Sequence, residues 1–178
     1  SLTGIRPTLV AREEKSVETL ENTYFVRRDK AMLAMATAKN EDKILEDIPE
    51  NSLCMYIGVP FCRSRCSYCS FISADAAGHL DMLPDYSNAV ICEMDDYFKD
   101  KRPDVSCLYI GGGTPTVFDD TLFKEFIDGV FRIIAKSNIS EITVEAGRPD
   151  TITEQKLRVL KDAGVSRICI NPQTLSDR

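Results

Sequence analysis

The sequence is short of the features that would place a protein in a membrane, outside the cell or on nucleic acid. No apolar run approaches the ~18 residues of a membrane-spanning helix. Ser1 to Glu14, with Arg6, Arg12 and two adjacent acids, lacks the apolar h-region of a secretory signal. Positive charge is not in excess: 22 Lys and Arg stand against 28 Asp and Glu, a formal charge of −6. A binder of the phosphate backbone needs the opposite balance. The expected setting is therefore cytoplasmic, with neither nucleic acid nor membrane as a partner. Apolar residues at 43% and charged residues at 28% exclude a disordered segment. At 178 residues the chain reads as one ordinary domain or a piece of a larger one.

What the sequence does have is cysteine. Seven is an odd number, no export signal accompanies them, and a chain of this length does not need staples, so a disulfide framework is not expected. Cys62, Cys66 and Cys69 crowd into one segment, whereas Cys54, Cys92, Cys107 and Cys169 are scattered. Cys107 and Cys169 fall inside apolar runs and are expected to pack as small hydrophobes.

The order of elements gives the setting for that segment. Residues 1–50 carry Leu9, Leu20, Phe25, Ala31, Met32, Met35 and Ile44 at roughly helical spacing, which predicts two or three helices and shows no chemistry. From Leu53 the pattern changes. Strands are predicted at Leu53–Val59, Ser106–Ile110, Glu141–Glu145 and Ser166–Asn171, alternating with helices at Tyr86–Lys99, Thr121–Ala135 and Thr153–Ala163. Thr153 is placed to cap the third of these helices and Gly164 to end it. A βαβαβαβ order with nearly continuous apolar strands signifies a parallel sheet covered by helices. In such folds function gathers at the carboxyl ends of the strands. The Cys62 cluster, Gly111 to Gly113, Glu145 and Gln173 all follow predicted strands, so one face is expected to hold them together.

The segment from Cys62 to Cys69 has C-x3-C-x2-C spacing. Thiolates are soft ligands suited to iron-sulfur clusters and zinc. Three of them hold a cubane with one iron left without a protein ligand, open to an exogenous molecule. Structural zinc wants a closed set of ligands, and only Cys54 or the lone His79 is available as a distant partner. Cys66-Ser67-Tyr68-Cys69 by itself matches a C-x-x-C redox pair, which leaves Cys62 unexplained. Gly111, Gly112 and Gly113 have a separate reading: without side chains they let the backbone approach a ligand, whereas a plain strand-to-helix turn needs one glycine. Glu145 places a carboxylate where an apolar strand stops. Arg63, Arg65 and His79 read as a solvated loop face, with substrate propionates or an acidic electron donor as the functional alternative.

C-x3-C-x2-C with an aromatic directly before the third cysteine resembles the radical S-adenosylmethionine (SAM) enzymes. Tyr56-Ile57-Gly58-Val59-Pro60-Phe61-Cys62 and Gly111-Gly112-Gly113-Thr114-Pro115-Thr116 resemble the oxygen-independent coproporphyrinogen III oxidase family within them. Gly147-Arg148-Pro149-Asp150-Thr151-Ile152 and Ile170-Asn171-Pro172-Gln173-Thr174 are similar to its HemZ-type coproporphyrinogen dehydrogenase branch. The resemblance implies an α/β fold, a partial TIM-like (β/α)6 barrel. Here it is truncated to about four parallel strands in residues 51–178, behind a helical segment in 1–50. It implies that Cys62, Cys66 and Cys69 ligate a 4Fe-4S cluster. It implies that Tyr68, Gly111, Gly112, Gly113, Thr114, Glu145 and Gln173 contact SAM, with Tyr68 near the adenine. The implied reaction converts coproporphyrinogen III to protoporphyrinogen IX for haem synthesis. A reduced cluster cleaves SAM to methionine and a 5′-deoxyadenosyl radical, which takes hydrogen from a propionate, and loss of carbon dioxide, with one electron passing to an acceptor, leaves a vinyl group. The implied partner is a low-potential donor such as flavodoxin or ferredoxin, in an anaerobic cytoplasm. Relatives with the Cys-x-Phe ending seen in Cys69-Ser70-Phe71 are haem-binding chaperones, and a radical methyltransferase is a further alternative. An incomplete barrel is expected to leave an open sheet edge and an unfinished porphyrin pocket, hence an inactive, self-associating piece.

Overall fold

The structure, a computed structural model, describes residues 6–71, 74–75, 78–101, 103–134 and 137–172. The chain divides into two compact units, Ser1–Glu50 and Asn51–Arg178. Among the described residues no helix is long and apolar enough to cross a membrane.

The first unit consists of α1 (Pro7–Glu14), α2 (Val17–Asn22) and α3 (Arg28–Glu46). Proline opens α1, where its missing N–H costs nothing. Ser16 Oγ caps α2 by accepting from the Thr19 amide at 3.2 Å. The core of this unit is Val10, Ala11, Leu20, Ala31, Ala34 and Ala38. Alanines spaced three and four apart give α3 a flat stripe that lets α1 and α2 approach closely. Of the residues whose spacing predicted these helices, Leu20 and Ala31 are buried while Leu9, Phe25, Met32 and Ile44 are exposed. The small residues, which carry little hydrophobic signal, mark the buried face. Arg12 fastens α1 to α3 through Asp42 (2.6 Å) and Glu41 (3.1 Å).

The second unit runs β1 (Ser52–Val59), β2 (Phe61–Cys62), β3 (Ala74–Asp75), α4 (Leu83–Lys101), β4 (Asp104–Gly112), α5 (Asp120–Ile134), β5 (Glu141–Glu145), α6 (Glu154–Asp162) and β6 (Arg167–Cys169). Four strands form a sheet in the order β1-β4-β5-β6, every neighbouring pair parallel. A second, two-residue parallel pairing joins β2 to β3. Alternate residues of the four-stranded sheet point to the helices: Ile57, Val59, Leu108, Ile110 and Val144 are buried with Phe123, Phe126, Ile127 and Val130 of α5. The opposite face is different. Tyr56 is exposed, and Cys107, Tyr109 and Cys169 are half-buried. Helices on one side and a partly open, polar face on the other make this sheet the wall of an incomplete barrel.

Most predicted elements are present with shifted ends. The fourth helix starts three residues before the predicted Tyr86, at Leu83. Strand β4 extends past the predicted Ile110 and takes in Gly111 and Gly112, because pairing with β1 continues through Gly58↔Gly111 and Val59↔Gly112. Strand β6 is shorter than predicted, pairing only with Thr143 to Glu145. Helix α6 follows the prediction closely. Thr153 Oγ1 accepts from the Lys156 amide at 3.2 Å. At the other end Gly164 has φ +81, and its amide and that of Val165 close onto Lys161 and Leu160 at 3.0 Å each, a Schellman arrangement. Cys107 and Cys169 correct the expectation of buried small hydrophobes. Both are half-buried on the sheet face opposite the one packed against α5, and Cys107 lies in register beside Cys54.

Lys156 locks the loops at the carboxyl ends of β4 and β5. Its Nζ is buried and donates to the Thr116 carbonyl (2.9 Å) and the Thr151 carbonyl (3.0 Å), with Asp120 Oδ1 at 3.7 Å. Burial pushes the ammonium below the usual lysine range while Asp120 and Asp119 pull it back. Thr116 belongs to a 3-10 turn, Pro115–Val117, and Thr151 to another, Pro149–Thr151. Their hydroxyls also bond to each other at 2.7 Å. Lys156→Ala leaves two carbonyls and a carboxylate without their cation and is expected to lower the unfolding free energy by about 3 kcal/mol. Urea denaturation measures this, and wild-type stability in the variant would refute it.

Candidate functional site

The cysteine segment begins where β1 ends. Phe61 is buried and packs edge-to-face on Tyr86 of α4 at 5.2 Å, while the Tyr86 hydroxyl donates to the Gly58 carbonyl. This anchor fixes Cys62 at the edge of the sheet. There it meets the end of β4: Thr114 Oγ1 donates to Cys62 Sγ at 3.4 Å, and the Gly113 amide donates to the Val59 carbonyl at 2.8 Å. The space is small. A Cβ at Gly113 would lie 2.7 Å from the Phe61 carbonyl oxygen and 3.0 Å from Cys62 Sγ. A Cβ at Gly112 would lie 2.9 Å from the Val59 nitrogen, on a backbone with φ +112 that side-chain-bearing residues seldom adopt. Two of the three glycines are therefore required by close approach.

Cys66 and Cys69 follow on a tight turn, the Cys69 amide donating to the Cys66 carbonyl at 3.1 Å. All three cysteines are free and half-buried. Tyr68, between them, is exposed, and its phenol is pushed up chiefly by a hydrogen bond with Cys66. Across from this turn stands Arg148, the residue after Gly147 in the loop that follows β5. It donates to the Ser64 carbonyl at 3.2 Å, to Ser64 Oγ at 3.1 Å and to Cys66 Sγ at 3.5 Å. Arg63 crosses the other way to the Asp150 carbonyl at 2.8 Å. The cysteine loop and the loop after β5 are thus tied by two arginines.

Glu145 ends β5 on the uncovered face, half-buried. Its Oε1 accepts from the Tyr109 hydroxyl at 2.6 Å. Gly111 lies beside this pair: a Cβ there would fall 2.6 Å from the Tyr109 ring and 3.1 Å from the Glu145 carboxyl carbon. The glycine keeps the space over the carboxylate free. The Tyr109 phenol is pushed well above its ordinary range, first by this hydrogen bond and then by burial.

The structure brings together Cys62 with Gly113 and Thr114, Gly111 with Glu145, and Cys66 with Tyr68 and Arg148. It does not converge the three thiols: among the described residues no three Cys, His, Asp or Glu side chains gather into a metal-binding set. Gln173 lies outside the described residues. Two site residues were not singled out from the sequence. Tyr109 was findable, since it precedes Gly111 by two positions in a strand and so shares its face. Arg148 carried only the weak signal of following a strand end.

The donor set fits an iron-sulfur cluster. Three soft thiols, none of them in a disulfide, occupy one loop beside a strand end whose glycines carry no side chains. Comparison with known proteins points the same way. The sequence profile of the Radical SAM superfamily matches residues 56–178. The oxygen-independent coproporphyrinogen-III oxidase-like protein HemZ of Bacillus subtilis (strain 168) is 34% identical across 97% of this chain and 37% of its own length. The heme chaperone HemW of the same organism is 37% identical across 68% of this chain and 32% of its own, and that of Escherichia coli (strain K12) 32% identical across 70% and 33%. Among solved structures, coproporphyrinogen III oxidase (HemN) from Escherichia coli, described as a radical SAM enzyme, superposes with a TM-score of 0.50 at 24% identity. That match covers 72% of this chain and 29% of HemN, and shows the fold. The chain spans about a third of the length of the curated relatives it matches.

Because the folded-state pKa of Tyr109 is raised, the stabilisation from its bond to Glu145 is complete below pH ~10 and is lost as the pH climbs beyond that. Ultraviolet titration of tyrosinate is expected to show Tyr109 ionising later than the other tyrosines, and Glu145→Gln is expected to bring it back toward its ordinary range. An unchanged curve in the variant would refute the pairing.

Proposed function

The chain belongs to the radical SAM superfamily, and on that premise we propose that the protein carries out the oxygen-independent oxidative decarboxylation of coproporphyrinogen III propionates to vinyl groups. Cys62, Cys66 and Cys69 would hold a 4Fe-4S cluster, and the end of β4 from Gly111 to Thr114, with Glu145, Tyr68 and Gln173, would receive SAM. Bound there, the pair supplies one-electron reductive cleavage of a sulfonium, driven by a low-potential donor such as a flavodoxin or ferredoxin.

The remaining steps belong to the chain's own groups. Glu145 has one carboxylate oxygen committed to Tyr109, which leaves the other to accept from an ammonium or a ribose hydroxyl in the space above Gly111. Tyr109 orients that carboxylate and, as a neutral donor throughout the physiological range, fixes which oxygen is free. Thr114 and Gly113 hold Cys62 against the strand end, so cluster and SAM would share a wall rather than stand apart. The observation that carries the reading is this adjacency of a three-thiol loop and a side-chain-free strand end. The choice of the coproporphyrinogen branch is supported by similarity to HemZ that runs through the helical segment as well as the sheet, 97% of the chain.

A second reading is favoured by one observation: over the part it covers, similarity to the heme chaperone HemW reaches 37%. The two readings differ in outcome. Incubated anaerobically in its full-length form with reductant, SAM and coproporphyrinogen III, the protein is expected to yield deoxyadenosine and carbon dioxide. Tight stoichiometric haem binding without turnover would favour the chaperone. The cluster assignment is tested separately on the present chain: Cys66→Ala is expected to lose most of the iron and sulfide that the wild type takes up on reconstitution. Wild-type iron and sulfide content in the variant would overturn it.

A further inference from the structure

Three cations stand on or against the cysteine loop, and their partners distinguish them. Arg63 is directed to the Asp150 carbonyl at 2.8 Å, and Arg65 Nη2 lies 3.5 Å from the Cys69 carbonyl. Arg148 alone is recorded donating to a cysteine sulfur, Nη1 to Cys66 Sγ at 3.5 Å. The rest of its fork is fully used. Nη1 and Nη2 reach Ser64 O and Oγ at 3.2 and 3.1 Å, and Nε reaches Asp150 Oδ1 at 3.1 Å. Its side chain is only 21% exposed. A guanidinium held by a carboxylate on one edge and by the cysteine loop on the other presents its positive edge to the sulfur in a fixed orientation, which a flexible ammonium does not do.

We propose that Arg148 is a positioning residue that binds the cysteine loop to the loop after β5 and stabilises negative charge added to that loop, raising the reduction potential of a cluster held there. This rests on the function proposed above. Uptake of one electron from a low-potential carrier adds one negative charge to the thiolate-bound group, with no proton or bond exchanged, while the carrier loses that electron. A cation within hydrogen-bond reach of a ligand sulfur therefore favours the reduced state. Net charge and hydrogen bonds to sulfur are among the determinants of cluster potential. Asp150, kept anionic chiefly by its bond to Arg148, orients the fork without reaching the thiol itself.

The test is an EPR-monitored redox titration of the anaerobically reconstituted chain as wild type, Arg148→Gln and Arg148→Lys, with dithionite as reductant and iron and sulfide counted in each. Arg148→Gln is expected to lower the ratio of reduced to oxidised cluster at fixed potential about tenfold, a midpoint about 59 mV more negative for a one-electron couple. Arg148→Lys, which keeps the charge but loses the fork, is expected to fall between. A residue that merely braces the loop would change how much cluster assembles and leave the midpoint where it was. Equal midpoints in wild type and Arg148→Gln would overturn the assignment. So would loss of the cluster from both variants, because the lysine retains the charge. If Arg148→Gln alone loses the cluster, the assembled lysine variant decides: a midpoint more negative than that of the wild type supports the assignment, and a wild-type midpoint overturns it. A wild type that holds no cluster overturns the functional reading and the assignment together, and is distinguishable from the other outcomes by its iron content.

Discussion

In-register parallel pairing of β1 with β4 is the constraint on which the site depends. Because the strands pair up to their carboxyl ends, with Val59 opposite Gly112, the two connections leave the sheet side by side. They can share that end only where no Cβ stands between them. At Gly112 one would meet the Val59 backbone, and at Gly113 it would meet Phe61 and Cys62. The Gly113 amide then closes the gap onto the Val59 carbonyl at 2.8 Å. The position of Cys62 is thus a property of backbone pairing, and the glycine run is its steric consequence.

The same directionality builds the rest of the site. Parallel strands deliver every strand-to-helix connection to the same edge. Strand β5 contributes Glu145, and the loop after it Arg148, whose contacts reach back to Ser64 and Cys66. Lys156 holds the two 3-10 turns after β4 and β5 together from behind, through carbonyls rather than through any group facing the site. Charge is sorted accordingly: a chain with a formal charge of −6 gathers Arg63, Arg65 and Arg148 around its thiols. That is the sign expected where thiolates and a reduced centre are to be stabilised.

Much of this was legible in the sequence where the signal is local. Strand β5 at Glu141–Glu145 and the cap and stop of α6 at Thr153 and Gly164 are written in neighbouring residues, and the structure has them. The glycine triplet was read as room for a ligand; the close approach the structure has at Gly112 and Gly113 is to Val59, Phe61 and Cys62, and the inclusion of Gly111 and Gly112 in β4 was not legible, since strand length there is set by the partner β1. Cys107 and Cys169 read as buried because their neighbours are apolar, yet burial depends on whether a second layer covers that face. In the helical unit the buried stripe is alanine, which hydropathy underweights: Ala31 was picked out by its spacing, Ala34 and Ala38 were not, and Phe25 and Met32, which were, are exposed. Arg148 was visible only as a residue after a strand end, and its contacts were not legible, because its partners lie 82 and 84 positions earlier and only the sheet brings them near.

The central claim is that Cys62, Cys66 and Cys69 leave one iron of a 4Fe-4S cluster open to SAM beside the end of β4. EPR spectroscopy of the reconstituted, reduced chain, recorded before and after addition of SAM, tests it most directly. The account predicts a reduced-cluster signal whose g values shift when SAM is added. A cluster signal that SAM leaves unchanged would contradict it.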